Sequence, residues 1–460
     1  MKEKIAEELI SIAGADWVVT DPVNLQEYLY DETPKSVRPQ ASDDVVLVKP
    51  NCAEEISRIL ELANAEEITV VPRGAGTGLC GAAIPTEPSI VVSMERFNEI
   101  IELDEDNLMI TCEAGVELGE LFDRVDQTGN LFFPPHPGDE GAQVGGLVVE
   151  NAGGARAVKY GVMRNFIQGI KAVLPTGEQV QWGGKVLKNN AGLDLMHLLI
   201  GSEGILGIVT EVTLRLYPKA KADATLLIPF GDRHQAMNTV PQILKSSQIP
   251  LALEYVEKQL IEESAEHLGR EWPAKEGTAF LILILAGEDE DRVFSKAETI
   301  TDICLENGAE EPLFAERRSE QENILEIRSN IYTALEQQTA DILDVTVPPA
   351  RVGDLMDSID ELASQYETTV PMYGHAADGN VHPHIMKEDG QSPAYLEDLK
   401  EDIYRAARDL GGVITGEHGI GETRVKNIPS IFNQSEIDLM RRVKSAFDPQ
   451  GILNPGKAVG

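Results

Sequence analysis

Cysteine is scarce in this chain. Cys52, Cys80, Cys112 and Cys304 are the only four among 460 residues, and no two form a C-x-x-C pair. A disulfide framework and a complete iron–sulfur signature are therefore both excluded, so any electrons the protein handles must leave through another centre. Positive charge is also short, with 39 Lys+Arg against 77 Asp+Glu and a net charge of -38. That balance argues against nucleic acid and anionic membrane surfaces as direct partners. If the substrate is itself an anion, the overall field opposes its approach, and a local metal ion or arginine must attract it at the site. Long apolar runs are missing too. No stretch approaches the roughly 20 residues of a membrane span, and Met1 to Ala13 mixes acidic residues into its apolar positions where a leader would be uninterrupted. A cytoplasmic protein is the expectation.

What is present organises itself into more than one core, since 460 residues with 42% hydrophobic content exceed what a single domain usually holds. A helical pattern runs from Met1 to about Tyr30. Val45 to Val48 reads as a buried strand, Ala53 to Ala65 as a helix with Ile56, Ile59, Leu60 and Ala63 on one face, and Ile68 to Pro72 as a second strand. Short strands follow at Ile90–Ser93, Leu108–Cys112 and Ile208–Tyr217, the last stopped by Pro218. Lys219 to Asp223 is a hinge into a second domain, where strands at Thr225–Pro229 and Ala279–Leu285 alternate with helical patterns at Ala236–Ser246 and Arg292–Glu306. Without a continuous βαβ march, this predicts an antiparallel α+β sheet.

The strand ending at Pro72 runs into Arg73-Gly74-Ala75-Gly76-Thr77-Gly78-Leu79-Cys80-Gly81, which formally contains G-x-G-x-x-G. A Rossmann site needs a helix to open at the last glycine, but Pro85 and Pro88 stand where that helix would run. A loop of small residues remains, able to point several backbone N–H groups into one concavity and cradle a diphosphate. Two further glycine clusters, Gly138 to Gly154 and Gly201 to Gly207, suit a large, flat, polar cofactor.

Near the C-terminus, Gly374-His375-Ala376-Ala377-Asp378-Gly379-Asn380-Val381-His382-Pro383-His384 is followed by Gly416-Glu417-His418-Gly419-Ile420-Gly421. Four of the chain's 8 histidines fall in these two segments. Imidazoles and a carboxylate bind borderline divalent cations, and a further imidazole beside them can move a proton near neutral pH.

Taken together, the Pro72–Leu79 loop, the Asn151–Tyr160 run, Gly201–Gly207 and both histidine segments resemble the FAD-linked D-2-hydroxy-acid dehydrogenases. That family includes D-lactate dehydrogenases, the flavin subunit of glycolate oxidase and D-2-hydroxyglutarate dehydrogenase, and the likeness runs from about Val45 to Lys457. It implies an α+β fold of the vanillyl-alcohol-oxidase type. A two-subdomain FAD-binding domain would span 1–220, a substrate-binding cap with an antiparallel sheet 221–414, and a C-terminal segment 415–460 would return to complete the active site. Pro72, Arg73, Gly74, Ala75, Gly76, Thr77, Gly78 and Leu79 would hold the FAD pyrophosphate. Gly138, Gly145, Gly146, Asn151, Gly153, Gly154 and Gly161 would line the adenine and flavin channel, with Glu203 and the backbone around Ile208 completing it. Relatives that attach flavin covalently use a histidine in the first loop; none stands between Pro72 and Gly81, so the FAD is expected to be non-covalent. At Gly141-Ala142-Gln143 the chain lacks the hydroxyl residue that many relatives direct at the phosphates.

Oxidising a 2-hydroxy acid removes the C2 hydrogen as hydride and the hydroxyl proton, which calls for a Lewis acid, a base and a carboxylate anchor. By the resemblance His375, His382 and Glu417 are the metal ligands, with zinc the expected ion and iron or manganese the alternatives. His418 is the base, Arg328 grips the substrate carboxylate, and His384 touches the substrate or supports a residue that does; Asp378 and Asn380 shape the turn. Relatives acting on hydroxyglutarate carry a lysine beyond the arginine, and Thr339 to Asp344 offers none, which favours D-lactate or glycolate. Reduced flavin then needs an external acceptor: an iron–sulfur subunit, an electron-transfer flavoprotein, a quinone or a cytochrome. Such a partner could hold the protein at a membrane, and a homodimer is compatible with this reading. The competing readings are a D-2-hydroxyglutarate dehydrogenase, a non-redox flavoenzyme of the alkyl-glycerone-phosphate synthase type, a metal-dependent hydrolase, and an assembly subunit without a substrate.

Overall fold

The computed structural model describes residues 2–460; Met1, where the N-terminal helical pattern begins, lies outside the described residues. Helix Lys2–Ala13 ends well before Tyr30. Gly14 turns to φ 93°, a conformation that glycine reaches freely and that breaks the helix. A single 3₁₀ turn at Ala15–Trp17 leads into the short strand Val18–Val19, which pairs with Val45–Val48.

Val45–Val48, Ser89–Ser93 and Thr69–Arg73 lie parallel, with Ser89–Ser93 in the middle. Val45–Val48 is buried on both faces, which explains its unbroken run of Val and Leu. Helix Ala53–Glu66 makes the crossover and buries Ile56, Ile59, Leu60 and Ala63. Beside this layer, five antiparallel strands run in the order Ile100–Asp104, Met109–Glu113, Ile208–Arg215, Ile167–Val173, Gln179–Gly183. Pro218 does more than end a strand: Tyr217–Pro218 pairs with Leu131–Phe132 in a two-stranded ribbon, where a missing N–H is tolerated at the edge.

Beyond Lys221 the chain enters an eight-stranded antiparallel sheet. Its main path is Leu313–Ala315, Ala222–Phe230, Ala279–Gly287, Ala252–Glu257, Met372–His375, Asn380–Met386, Thr339–Ile342, and Val345–Thr346 also pairs with Asn380–Met386. The hinge is thus shorter than the sequence suggests, since Ala222 and Asp223 already pair with Gly287 and Ala286. Strand alternation divides the apolar side chains between two cores. Leu281, Leu283, Leu253 and Tyr255 pack on one face, and Phe280, Ile282 and Val256 on the other with helix Arg318–Ser329. The C-terminal Ile452 and Leu453 return to the first core, where the N–H of Val70 donates to the Ile452 carbonyl at 2.8 Å. Among the described residues no helix is long and apolar enough to cross a membrane.

Candidate active site

Two adjacent strands and one loop build the histidine cluster. Met372–His375 and Asn380–Met386 form a hairpin with Tyr373 opposite His382 and His375 opposite Asn380. The hairpin turns tightly at Gly379, φ 86°, where a Cβ would lie 1.8 Å from the Val347 carbonyl oxygen. This geometry sets the rings of His375 and His382 5.5 Å apart at 89°. Their Nε2 atoms converge on one oxygen, Glu417 Oε1, at 3.4 and 3.5 Å.

Glu417 reaches the hairpin from the loop at 415–421, and Asp344 holds that loop in place. Asp344 Oδ2 accepts the backbone N–H groups of Gly416, Glu417 and His418 at 2.9, 2.9 and 2.7 Å and the Thr415 hydroxyl at 2.7 Å; Oδ1 accepts from Asn380 Nδ2 at 2.8 Å. His418 then stacks on His382, ring centroids 5.3 Å apart and 11° from parallel, with its buried Nδ1 free of any partner. Burial alone would raise the carboxylates. For Glu417 the neighbouring His375 and His382 overcome it and bring the group down to about 2, and for Asp344 the His418 and Arg424 charges hold it well below the usual range. Burial lowers His382 to about 3, whereas in His375 the Glu254 and Glu417 carboxylates outweigh burial and raise it well above the ordinary value.

This donor set fits a divalent cation. Two imidazole nitrogens and a carboxylate oxygen face one another, and the Nδ1 of His375 is bonded to Glu254 Oε1 at 2.7 Å, which fixes the other nitrogen toward Glu417. Asp344, His382, Glu417 and His418 also bring ligand atoms within 4.8 Å of one another, but Asp344 Oδ2 is already saturated by the four donors of the loop. His382, Glu417 and His418 keep unspent atoms, and His375 Nε2, outside that group, stands 3.4 Å from Glu417 Oε1.

Glu417 and His418 face a cleft with about 1330 Å³ of empty space, open to solvent, while His375 and His382 stand behind Glu417 and do not line it. All of Pro72 to Leu79 line it, together with Gly145, Gly146, Gly153, Glu203, Ile208, Glu417 and His418. Small residues with their backbone amides and the imidazole of His418, together in one cleft, suit a large polar cofactor. A Cβ on Gly153 would stand 2.7 Å from Glu417 Oε2, so any side chain there would shift that carboxylate. Arg73 turns its guanidinium inward, donating to the Glu27 and Tyr30 carbonyls at 3.0 and 2.9 Å, so it braces the loop from behind. Glu203 accepts from the N–H groups of Ile420 and Gly421 at 2.9 and 2.5 Å and ties the histidine loop to the glycine segment.

Gly138, Asn151, Gly154 and Gly161 do not line this cleft. Asn151 ends helix Val144–Glu150 in the left-handed region and accepts the Arg164 N–H at 3.0 Å. Gly154 packs on the His136 carbonyl and Gly161 on Asn165. Gly138 sits in the Pro137–Asp139 turn, whose flanking residues do face the cleft. His384 is fully buried, its Nδ1 2.9 Å from the Thr339 hydroxyl, and the Tyr373 ring lies 5.4 Å from both His384 and His382. Arg328 donates from Nη2 to Glu254 Oε2 at 2.5 Å and lies 4.8 Å over Tyr373, with its Nε unpartnered. Sequence reasoning missed Asp344 and Glu254. A glutamate amid the apolar strand Ala252–Val256 was a legible signal, since a lone charge there needs partners; Asp344 had none.

Residues 45–183 match the FAD binding domain, and residues 219–458 match the C-terminal domain of the FAD linked oxidases. The chain is 42% identical over 432 residues to the D-lactate dehydrogenase of Archaeoglobus fulgidus, covering 94% of this chain and 95% of that one. The chain belongs to the FAD-linked D-2-hydroxy-acid dehydrogenases. A second member of that family, the glycolate oxidase subunit of Bacillus subtilis, is 36% identical across 98% of this chain and 96% of its own. Among solved structures, the 4-ethylphenol oxidase of Gulosibacter chungangensis superposes with a TM-score of 0.78 at 17% identity over 99% of this chain and 96% of that one. The fold is therefore the vanillyl-alcohol-oxidase type with a second α+β domain, as the family resemblance implies, and the protein is an FAD-linked oxidoreductase.

Proposed function

We propose that the protein oxidises a short D-2-hydroxy acid, D-lactate or glycolate, to the 2-oxo acid with non-covalent FAD and one divalent cation, zinc, and passes the electrons to an external acceptor protein or quinone. The observation that carries this reading is the convergence of His375 and His382 Nε2 on Oε1 of Glu417, a residue that with His418 faces the glycine-lined cleft. Bound FAD supplies a two-electron acceptor, and a bound cation supplies a Lewis acid for the hydroxyl oxygen.

The chain's own residues do the rest. The Pro72–Leu79 loop, Gly145, Gly146 and Gly153 hold the cofactor, and His375, His382 and Glu417 hold the cation. His418, with an unspent ring nitrogen beside that cluster, takes the hydroxyl proton. Arg328, anchored at Nη2, offers its remaining edge to the substrate carboxylate. His384 supports Tyr373 and His382 from beneath. The division into 1–220, 221–414 and 415–460 belongs to the same reading and is supported by the return of Ile452 and Leu453 to the first core.

Short monocarboxylates are favoured because the segment Thr339–Asp344 brings no lysine for a second carboxylate. Anaerobic mixing of the flavin-loaded protein with D- and L-lactate, glycolate and D-2-hydroxyglutarate tests the proposal. Loss of the oxidised-flavin absorbance with D-lactate or glycolate, abolished by a chelator, supports it. Bleaching by hydroxyglutarate alone, or by none of the four, overturns it.

A further inference from the structure

We propose that Glu254 is a positioning residue that joins the two ends of the substrate site, orienting the cation ligand His375 through one carboxylate oxygen and the anion-binding Arg328 through the other. The inference rests on the function proposed above and deepens it.

Glu254 stands in the middle of strand Ala252–Glu257, opposite Ile282, between two neighbouring strands. Its side chain is 6% exposed. By strand alternation it shares a face with Val256 and Ile282, and the core on that face also contains Tyr373 and, from the helix bearing Arg328, Ile324 and Ile327. A carboxylate among such neighbours is costly unless both oxygens are satisfied by charged donors. Here they are: Oε1 meets His375 Nδ1 at 2.7 Å and Oε2 meets Arg328 Nη2 at 2.5 Å.

Each contact does something that burial alone does not require. A carboxylate on Nδ1 leaves the His375 Nε2 lone pair to the cation and raises its basicity. Anchoring Nη2, with the Tyr373 ring 4.8 Å below, fixes the plane of a guanidinium that otherwise has several rotamers, and leaves Nε as an unspent donor. Because one carboxylate serves both groups, cation affinity and substrate affinity depend on the same side chain.

The test uses flavin-loaded, full-length Glu254→Gln, stripped of metal and titrated with Zn²⁺ against a fluorescent chelator, then assayed at saturating Zn²⁺ with the hydroxy acid that reduces the wild type. Flavin content and thermal midpoint stay close to wild type. Zinc affinity falls about 10–100-fold, and KM rises about tenfold or more while kcat changes less. An unchanged zinc affinity or an unchanged KM overturns the bridge. Should the Gln variant melt early, Glu254→Asp keeps the buried charge; one methylene shorter, it cannot reach both partners, so at least one of the two constants still moves, and two unchanged constants overturn the bridge. A wild type that binds no Zn²⁺ and is reduced by no hydroxy acid removes the proposed function and the bridge together. A wild type that does both, beside an unaltered Glu254→Gln, removes the bridge alone.

Discussion

Asp344 Oδ2 accepts the backbone N–H of His418 at 2.7 Å while the His418 ring lies stacked on His382. One buried carboxylate thus sets the position of both Glu417 and His418, since it also receives the N–H groups of Gly416 and Glu417. Asp344→Ala leaves these donors and the buried Arg424 short of a partner. We expect a loss of about 3–5 kcal/mol, the usual cost of breaking a buried charge network, read as a lower urea midpoint, with at least a tenfold loss of turnover. Asp344→Asn keeps an oxygen for the loop and loses less on both counts.

Gly153 lies so close to Glu417 that a Cβ there would stand 2.7 Å from its Oε2. Gly153→Ala pushes Glu417 Oε2 aside. Zinc content measured by mass spectrometry after gel filtration drops below half of wild type, while the circular dichroism spectrum is retained.

The buried histidines make the metal-free protein sensitive to acid. Burial, with the neighbouring imidazoles, holds His384 at about 3, and burial is also the first cause of the same shift in His382. The unfolded chain takes up these protons near pH 6.5 and the folded one only near 3. Their contribution is therefore complete above pH 6.5 and is lost as pH falls toward 3, by about 1.4 kcal/mol per pH unit for each group. His375, shifted upward, contributes fully below 6.5 and does not offset that fall; Glu417, held at about 2, adds to it between about 4.5 and 2. Asp378, pushed up by burial to about 7, and Glu150, also raised by burial, gain stability over the same fall. The histidine effect is therefore read as a difference: relative to His384→Gln, the urea midpoint of the metal-free wild type should fall from pH 6.5 to 4.5, and an unchanging difference would contradict the burial of this ring.

FAD should leave the protein on denaturation. No histidine stands in the Pro72–Gly81 loop. Acid precipitation is expected to put all the yellow colour in the supernatant; colour retained in the pellet would contradict a non-covalent cofactor.

Much of the fold is legible from the residues. Val45–Val48 and Ala279–Leu285 announce themselves by unbroken apolar runs, and the Pro72–Leu79 loop by small residues after a strand, because both signals are local. The histidine spacing on one strand likewise places His382 and His384 on a common face. What stays hidden depends on contacts between distant segments. Asp344 is one acid among many until the 415–418 loop folds over it, and Arg328 looks like a free helix arginine until Glu254 arrives from 74 residues away. The end of the first helix at Ala13 escapes the pattern for the opposite reason: the backbone turns at Gly14 and is helical again only in the short pieces Ala15–Trp17, Pro22–Leu25 and Gln26–Tyr28.

The proposed cation site is open to a single decisive experiment, a crystal of the flavin-loaded protein grown with Zn²⁺ and measured on both sides of the zinc absorption edge. One strong anomalous peak is expected about 2.0–2.2 Å from His375 Nε2, His382 Nε2 and a Glu417 carboxylate oxygen, facing the cleft. A peak held by other residues, or none at these three, would contradict the proposed centre.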